Sequence, residues 1–322
     1  MSARFIIGRA GCGKTFRCLS AIRERVRMDP LDGPALVFLV PEQAALQMER
    51  TILAPNFPAS TAPSNPHGAF PAAHRVEVLS FRRLAYRILD ALNVSHRQPL
   101  SEAARAMVIQ HLLKRRTSEL QYYRRVERLG GTPERLGNTI AELMEELITP
   151  DELFAAPADS KSTDPAHRAK LHDLRIIYTD YLRYLGDTHL DPAQFLSIAR
   201  DHLPRFRRLH GAEVWVDGFA SFSALERETL TAIAQLAAHM EITAMFDPSL
   251  AEIPPGRPYA DAETRLFHRT HQTYWELRHA VEQQGIPLAP PILLDQTPML
   301  RFARNRSLSK LEASLFERAE GE

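Results

Sequence analysis

A glycine-rich loop close to the N-terminus restricts the possible folds of this chain more than any other stretch. The apolar residues Phe5-Ile6-Ile7 lead directly into Gly8-Arg9-Ala10-Gly11-Cys12-Gly13-Lys14-Thr15, which fits the pattern G-x-x-x-x-G-K-[ST]. Glycine lets the backbone turn its N–H groups inward without a clash at Cβ, so that they can surround phosphate oxygens. The pattern therefore predicts a strand, a phosphate-binding loop and a helix in succession.

Two side chains at the end of this loop indicate that the bound phosphates belong to a nucleotide. Lys14 would place its charge on the β- and γ-phosphates, and Thr15 would offer its hydroxyl to Mg²⁺. The helix that starts near Lys14 would direct the positive end of its dipole at the same anions. We therefore predict that the backbone from Gly8 to Gly13 and the Lys14 side chain bind ATP with Mg²⁺. The loop supplies binding only, because hydrolysis also needs a residue that positions water and an arginine finger.

The composition of the 322 residues is typical of a soluble globular protein, with 44% hydrophobic and 25% charged residues. No apolar run approaches the ~20 residues of a membrane-spanning helix, and the N-terminus has no signal-peptide pattern. We therefore expect a cytoplasmic protein that has no membrane association. A net charge of +1 gives no overall attraction to nucleic acid, so any DNA contact must come from local patches. The two cysteines, Cys12 and Cys18, lack the spacing of metal ligands or of a disulfide framework.

Beyond the loop, strand and helix patterns alternate at both ends of the chain, but only helical patterns occur in its middle. Apolar runs predict strands at 35–40, 75–79, 213–217, 240–246 and 291–294. Helices are predicted near 101–115, 118–129, 133–147, 165–186 and 191–203. We predict an α/β fold of the P-loop NTPase class, with a parallel sheet flanked by helices and an inserted all-helical subdomain. The predicted boundaries are 1–95 for the first part of the P-loop domain, 96–205 for the insert and 206–322 for the second part.

An aspartate at the end of a strand adds a second element of nucleotide chemistry. Asp217 follows the apolar residues Val214-Trp215-Val216. In P-loop NTPases an aspartate at this place holds Mg²⁺, and in fast enzymes a neighbouring glutamate orients the attacking water. Here the next residue is Gly218. We therefore predict that Thr15 and Asp217 lie on the metal side of the nucleotide, and that hydrolysis is negligible.

Four segments of the chain, in this order and at this spacing, resemble the N-terminal region of the AddB family, the B-type subunits of the bacterial ATP-dependent helicase/nuclease. The resemblance covers essentially the whole chain and implies a RecA-like ATP-binding domain with an inserted helical subdomain. It also implies an inactivated motor that works beside an A-type motor/nuclease subunit in double-strand-break repair and recombination. Family members continue into further domains, so the chain is either a piece of such a subunit or a stand-alone relative. The four segments are Gly8 to Thr15, Phe38-Leu39-Val40-Pro41-Glu42-Gln43, Val78-Leu79-Ser80-Phe81-Arg82-Arg83-Leu84-Ala85 and Val214-Trp215-Val216-Asp217-Gly218-Phe219.

The third of these segments resembles the DNA-contacting motif of superfamily 1 helicases, and Asp217-Gly218 occupies the place of their Asp-Glu motif. The segments at Gln43 and at Ser80 also follow the second and third predicted strands, where the loops of a parallel sheet reach a ligand. We expect single-stranded or end-processed DNA to be bound weakly at this edge. The residues concerned are Gln43, Ser80, Phe81, Arg82 and Arg83.

Two other functions fit a phosphate-binding loop, namely a small-molecule kinase with a helical lid and a structural relic that binds neither nucleotide nor DNA. The segments at Ser80 and Asp217 favour the helicase-like module over both. His268, His271 and Glu276 have a spacing that suggests a metal, but a third ligand at the right spacing is lacking, and we expect an exposed helix face there.

Overall fold

The computed structural model of the chain describes residues 1–29, 31–53, 75–94, 97–125, 131–155, 164–255, 266–295, 300–302 and 304–314. The strands are β1 (Ala3–Gly8), β2 (Leu36–Leu39), β3 (Val76–Leu79), β4 (Gln98–Pro99), β5 (His189–Leu190), β6 (Glu213–Val216), β7 (His239–Ala244) and β8 (Ile292–Leu294). The α-helices are α1 (Lys14–Met28), α2 (Glu42–Leu53), α3 (Phe81–Ala91), α4 (Glu102–Arg115), α5 (Thr132–Glu145), α6 (Glu152–Ala155), α7 (Pro165–Leu185), α8 (Phe195–His202), α9 (Ala224–Ala234), α10 (His268–Gln283) and α11 (Arg306–Ser314). Within this part of the chain no helix is both long and apolar enough to cross a membrane.

A parallel sheet is the centre of the fold. Among the described residues six strands form it, in the order β3-β2-β6-β7-β1-β8, and each neighbouring pair is parallel. The C-terminal ends of parallel strands lie at one edge of a sheet, so the segments that follow β1, β2, β3, β6 and β7 all begin there. This arrangement confirms the predicted α/β class and is consistent with a RecA-like fold.

The composition of the strands explains why the sheet is covered on both faces. All four residues of β2 are buried, as are most of those in β1, and such continuous apolar strands need a helix layer on each side. Helix α1 supplies part of one layer, because Leu19, Ile22 and Val26 form a single buried stripe at helical spacing. Trp215 in β6 completes this cluster.

The chain divides into two compact units. The first consists of residues 1–84, 203–222 and 227–322 and contains the six-stranded sheet. The second consists of residues 85–202 and 223–226. Its core is formed by apolar side chains of α4, α5 and α7, among them Ile109, Ile140 and Ile177, each of which is fully buried.

The second unit also contains two features that differ from the prediction for the insert. Strands β4 and β5 form a short parallel pair, although only helices are predicted there. With two residues in each strand, no apolar period marks them in the sequence. Residues 118–125 are predicted as part of a helix, but they contain turns and one 3-10 segment, Tyr123–Arg125; the rest of that predicted helix, 126–129, lies outside the described residues.

A buried carboxylate explains why residues 118–125 are not helical. Asp173 of α7 is fully buried and accepts the backbone N–H groups of Gln121 (2.9 Å), Tyr122 (2.8 Å) and Tyr123 (2.8 Å). In a helix these donors would bind carbonyl oxygens one turn earlier. A charged acceptor within the core forms stronger hydrogen bonds than a carbonyl does, and it therefore overrides the local helical preference.

We predict that Asp173→Ala destabilises the second unit by about 2–4 kcal/mol, because three buried N–H groups lose their acceptor. Chemical denaturation followed by circular dichroism measures the loss. Asp187→Ala is the matched control, since Asp187 is fully exposed and pairs with Arg97 at the surface. Equal unfolding midpoints for the two variants would show that the carboxylate is not what holds this turn.

Candidate nucleotide and DNA site

The loop after β1 has backbone conformations that only glycine adopts easily. Gly11 and Gly13 have φ angles of +84° and +103°, in the left-handed region where a Cβ atom is strained. A Cβ atom on Gly8 would lie 2.5 Å from Cys12 Sγ and 2.9 Å from the carbonyl oxygen of Leu294. The glycine spacing therefore follows from the shape of the loop.

The loop ends at the N-terminus of α1, which is suited to an anion. Gly13 is the N-cap residue and has no side chain to occupy the first N–H groups of the helix. The first turn contains no acidic residue. These N–H groups and the helix dipole therefore present a positive end to the space beside the loop.

The ammonium group of Lys14 lies against the loop itself. Its Nζ donates hydrogen bonds to the carbonyl oxygens of Gly8 (2.7 Å) and Arg9 (2.9 Å). Burial lowers the pKa of Lys14 from its ordinary value, while Cys12 and Asp217 oppose the shift. Phosphate oxygens are charged and accept stronger hydrogen bonds than carbonyls do, so a phosphate could draw the amino group away from these partners.

Asp217 joins the phosphate-binding loop to two strands of the sheet. Its Oδ2 accepts the hydroxyl of Thr15 at 2.7 Å, and its Oδ1 accepts the hydroxyl of Thr243 at 2.6 Å. The carboxylate is buried, so these two donors satisfy oxygens that would otherwise be left unpaired. The structure thus brings together Thr15 and Asp217, the two predicted metal-side residues.

Thr243 was not predicted as part of this site. It lies in β7, the neighbour of β6, and the sequence signal that could have indicated it is a hydroxyl residue among apolar ones in a buried strand. Within the described residues no group of three or more His, Cys, Asp or Glu side chains could hold a metal ion. The hydroxyl of Thr15 and the carboxylate of Asp217 are the kind of oxygen ligands that Mg²⁺ prefers, together with water and phosphate oxygens.

Gly218, where a hydrolytic glutamate is expected, has a backbone that disfavours any side chain. Its φ angle is +85°, and a Cβ atom there would lie 3.3 Å from Cδ of Pro41. A glutamate at this position would therefore carry backbone strain in addition to a close contact.

The side chain of Arg9 makes contacts that the sequence did not predict. Its Nε donates to Oε1 of Glu312 at 2.8 Å and its Nη2 to the backbone oxygen of the same residue at 2.5 Å. Its Nη1 lies 3.4 Å from Oδ2 of Asp247, in the segment after β7. Arg9 was predicted only as part of the loop backbone, and these partners follow it by 238 and 303 residues in the chain.

The predicted DNA residues divide into buried and exposed side chains. Ser80 and Phe81 are buried; the Ser80 hydroxyl contacts the carboxylate of Glu42 and accepts the N–H of Arg83 at 3.2 Å. This contact places the start of α2, with Gln43, beside the start of α3. Gln43, Arg82 and Arg83 are exposed, and Arg83 pairs with Glu49 at 2.9 Å.

His271 has a structural role. It is buried, unlike the exposed face that the sequence predicts, and its Nε2 lies 3.0 Å from the carbonyl oxygen of Leu250. Burial lowers its pKa below the ordinary value for histidine, and Phe246 packs against its ring.

Comparison with known proteins gives a single family over nearly the whole chain. A family profile described as "ADDB, N-terminal" matches residues 5–312. Proteins named as the B-type subunit of an ATP-dependent helicase/deoxyribonuclease are 36% identical to this chain in Desulforudis audaxviator and 37% identical in Pelotomaculum thermopropionicum, each over 99% of this chain. The protein of that name from Moorella thermoacetica is 33% identical over 97% of this chain. The chain spans 26% of the length of each of these relatives. It therefore belongs to the AddB N-terminal family.

Proposed function

We propose that this chain is the ATP-binding, DNA-associated N-terminal module of an AddB-type helicase/nuclease subunit that acts in double-strand-break repair and recombination. The observation that carries the proposal is the set formed by Lys14, Thr15 and Asp217 beside a glycine loop at a helix N-terminus. The relatives' name, which describes one subunit of an ATP-dependent helicase/deoxyribonuclease, supports the use of ATP and DNA and an A-type partner subunit.

In this proposal each residue of the site has a separate task. The loop N–H groups and the first turn of α1 bind phosphate oxygens, and Lys14 exchanges its bonds to Gly8 and Arg9 for the β- and γ-phosphates. Thr15 turns its hydroxyl from Asp217 to Mg²⁺. Asp217 then holds the metal through water, while Thr243 keeps the carboxylate in place.

We predict that Lys14→Ala weakens the binding of ATP·Mg²⁺ by about 100-fold, because a charged hydrogen-bond donor to phosphate is lost. Isothermal titration calorimetry measures the Kd, and circular dichroism checks that the fold is intact. Lys170→Ala removes an exposed lysine of α7 and should bind as the wild type does. If the wild type and Lys14→Ala bind equally, or if neither binds, the nucleotide role is wrong.

We also predict negligible hydrolysis of ATP by the isolated chain, with or without single-stranded DNA, because Gly218 cannot orient a water molecule. Gly218→Glu should not restore turnover, since its backbone is strained and an arginine finger worth about 10³–10⁵ in rate is still needed. Gly218→Asn, a residue that tolerates the left-handed region, controls for damage to the fold. A phosphate-release assay that gave wild-type rates of roughly 1–100 per second would refute an inactive motor.

A third prediction concerns single-stranded DNA, which should bind weakly and with a strong dependence on salt. Replacing Arg82 and Arg83 by alanine should lower the affinity and the slope of log K against log salt by about one to two phosphate contacts. The control replaces Arg25 and Arg27 at the other end of α1, which starts at the ligand edge of the sheet and runs away from it. Fluorescence anisotropy with a labelled oligonucleotide distinguishes them; equal losses in both double variants would mean nonspecific attraction.

A further inference from the structure

The C-terminal part of the first unit contacts the phosphate-binding loop at two points. Arg9 binds the carboxylate and the backbone oxygen of Glu312 in α11. At the tip of the loop, the carbonyl oxygen of Gly11 accepts the N–H of Arg301 at 3.1 Å. The ring of Phe302 lies so close that a Cβ atom on Gly11 would be 2.9 Å from it. Two residues of the loop are therefore held from outside.

The contact at Gly11 fixes the direction of the next peptide group. In a trans peptide the C=O and the following N–H point to opposite sides. Because the Gly11 carbonyl points to Arg301, the N–H of Cys12 points the other way, and it lies 3.5 Å from the carbonyl oxygen of Arg9 across the loop. This long hydrogen bond is easily exchanged for a phosphate oxygen, which is a stronger acceptor.

The pair formed by Arg9 and Glu312 holds the other side of the loop. The two side chains are only 16% and 15% exposed, so water screens this ion pair less than one at the open surface. Asp247 and the ring of Phe267 flank the same guanidinium group. The partners of Arg9 draw its side chain outward, away from the space that a phosphate would fill.

We propose that Glu312 and the backbone N–H of Arg301 are positioning groups for the nucleotide site, which hold the loop in its phosphate-binding shape from outside. The proposal rests on the proposed function, since it assumes that the loop binds nucleotide. By thermodynamic reciprocity, ATP must then stabilise the docking of α11 by the same factor by which α11 strengthens ATP binding. The segment 300–314 thereby becomes sensitive to the state of the loop.

The test compares two positioning variants with two matched controls, in the full chain, by titration with ATP·Mg²⁺. Glu312→Ala should raise the Kd about fivefold. Glu213→Ala is its control, because Glu213 forms an ion pair of the same length, 2.8 Å, with Arg25. Arg301→Pro removes the N–H that Gly11 accepts, whereas Arg301→Ala removes only the side chain. Arg301→Pro should therefore weaken binding and Arg301→Ala should not.

Hydrogen exchange of peptides covering 304–314 provides a second readout, which separates positioning from a general loss of stability. ATP·Mg²⁺ should slow exchange there in the wild type and much less in Glu312→Ala. A wild type that binds ATP while all four variants keep its Kd overturns the positioning role and leaves the proposed function standing. Tighter binding by Glu312→Ala also overturns it, since the contact would then be inhibitory. A wild type that binds no ATP overturns both proposals.

Discussion

The carboxylate of Asp217 is the interaction on which the rest of the site depends. It is buried at the end of β6 and accepts hydroxyls from Thr15 in α1 and from Thr243 in β7. A buried carboxylate without donors would cost several kcal/mol, so the three residues stabilise the site only as a set. The start of α1 is thereby fixed to the sheet, and with it the last glycine of the phosphate-binding loop.

The parallel sheet explains why residues far apart in the chain meet at this edge. Because its strands all run in one direction, the loop after β1, the Glu42–Gln43 segment after β2, Ser80 after β3 and Asp217 after β6 begin side by side. Helix dipoles add to the same edge, since α1 starts there with a glycine cap. An anion and a chain of phosphates could both be accommodated at such an edge.

Local patterns predict much of the fold and part of the site. The phosphate-binding loop was predictable because each of its residue types answers a need within eight positions, and the strands because their apolar runs are continuous. Asp217 was predictable as the residue that ends such a run. Thr243, Arg301 and Glu312 were not, because their partners lie 26, 290 and 303 residues away and only the folded sheet brings them together. For the same reason the side chain of Arg9 was given no role of its own.

The turn held by Asp173 has a consequence for the order of events as the chain is synthesised. The backbone donors of residues 121–123 meet a carboxylate that follows them by 50 to 52 positions. Until that part of α7 has left the ribosome, the segment has only its own helical preference to follow. Its native turn must therefore replace an earlier local conformation, which makes this turn a late step in the biogenesis of the protein.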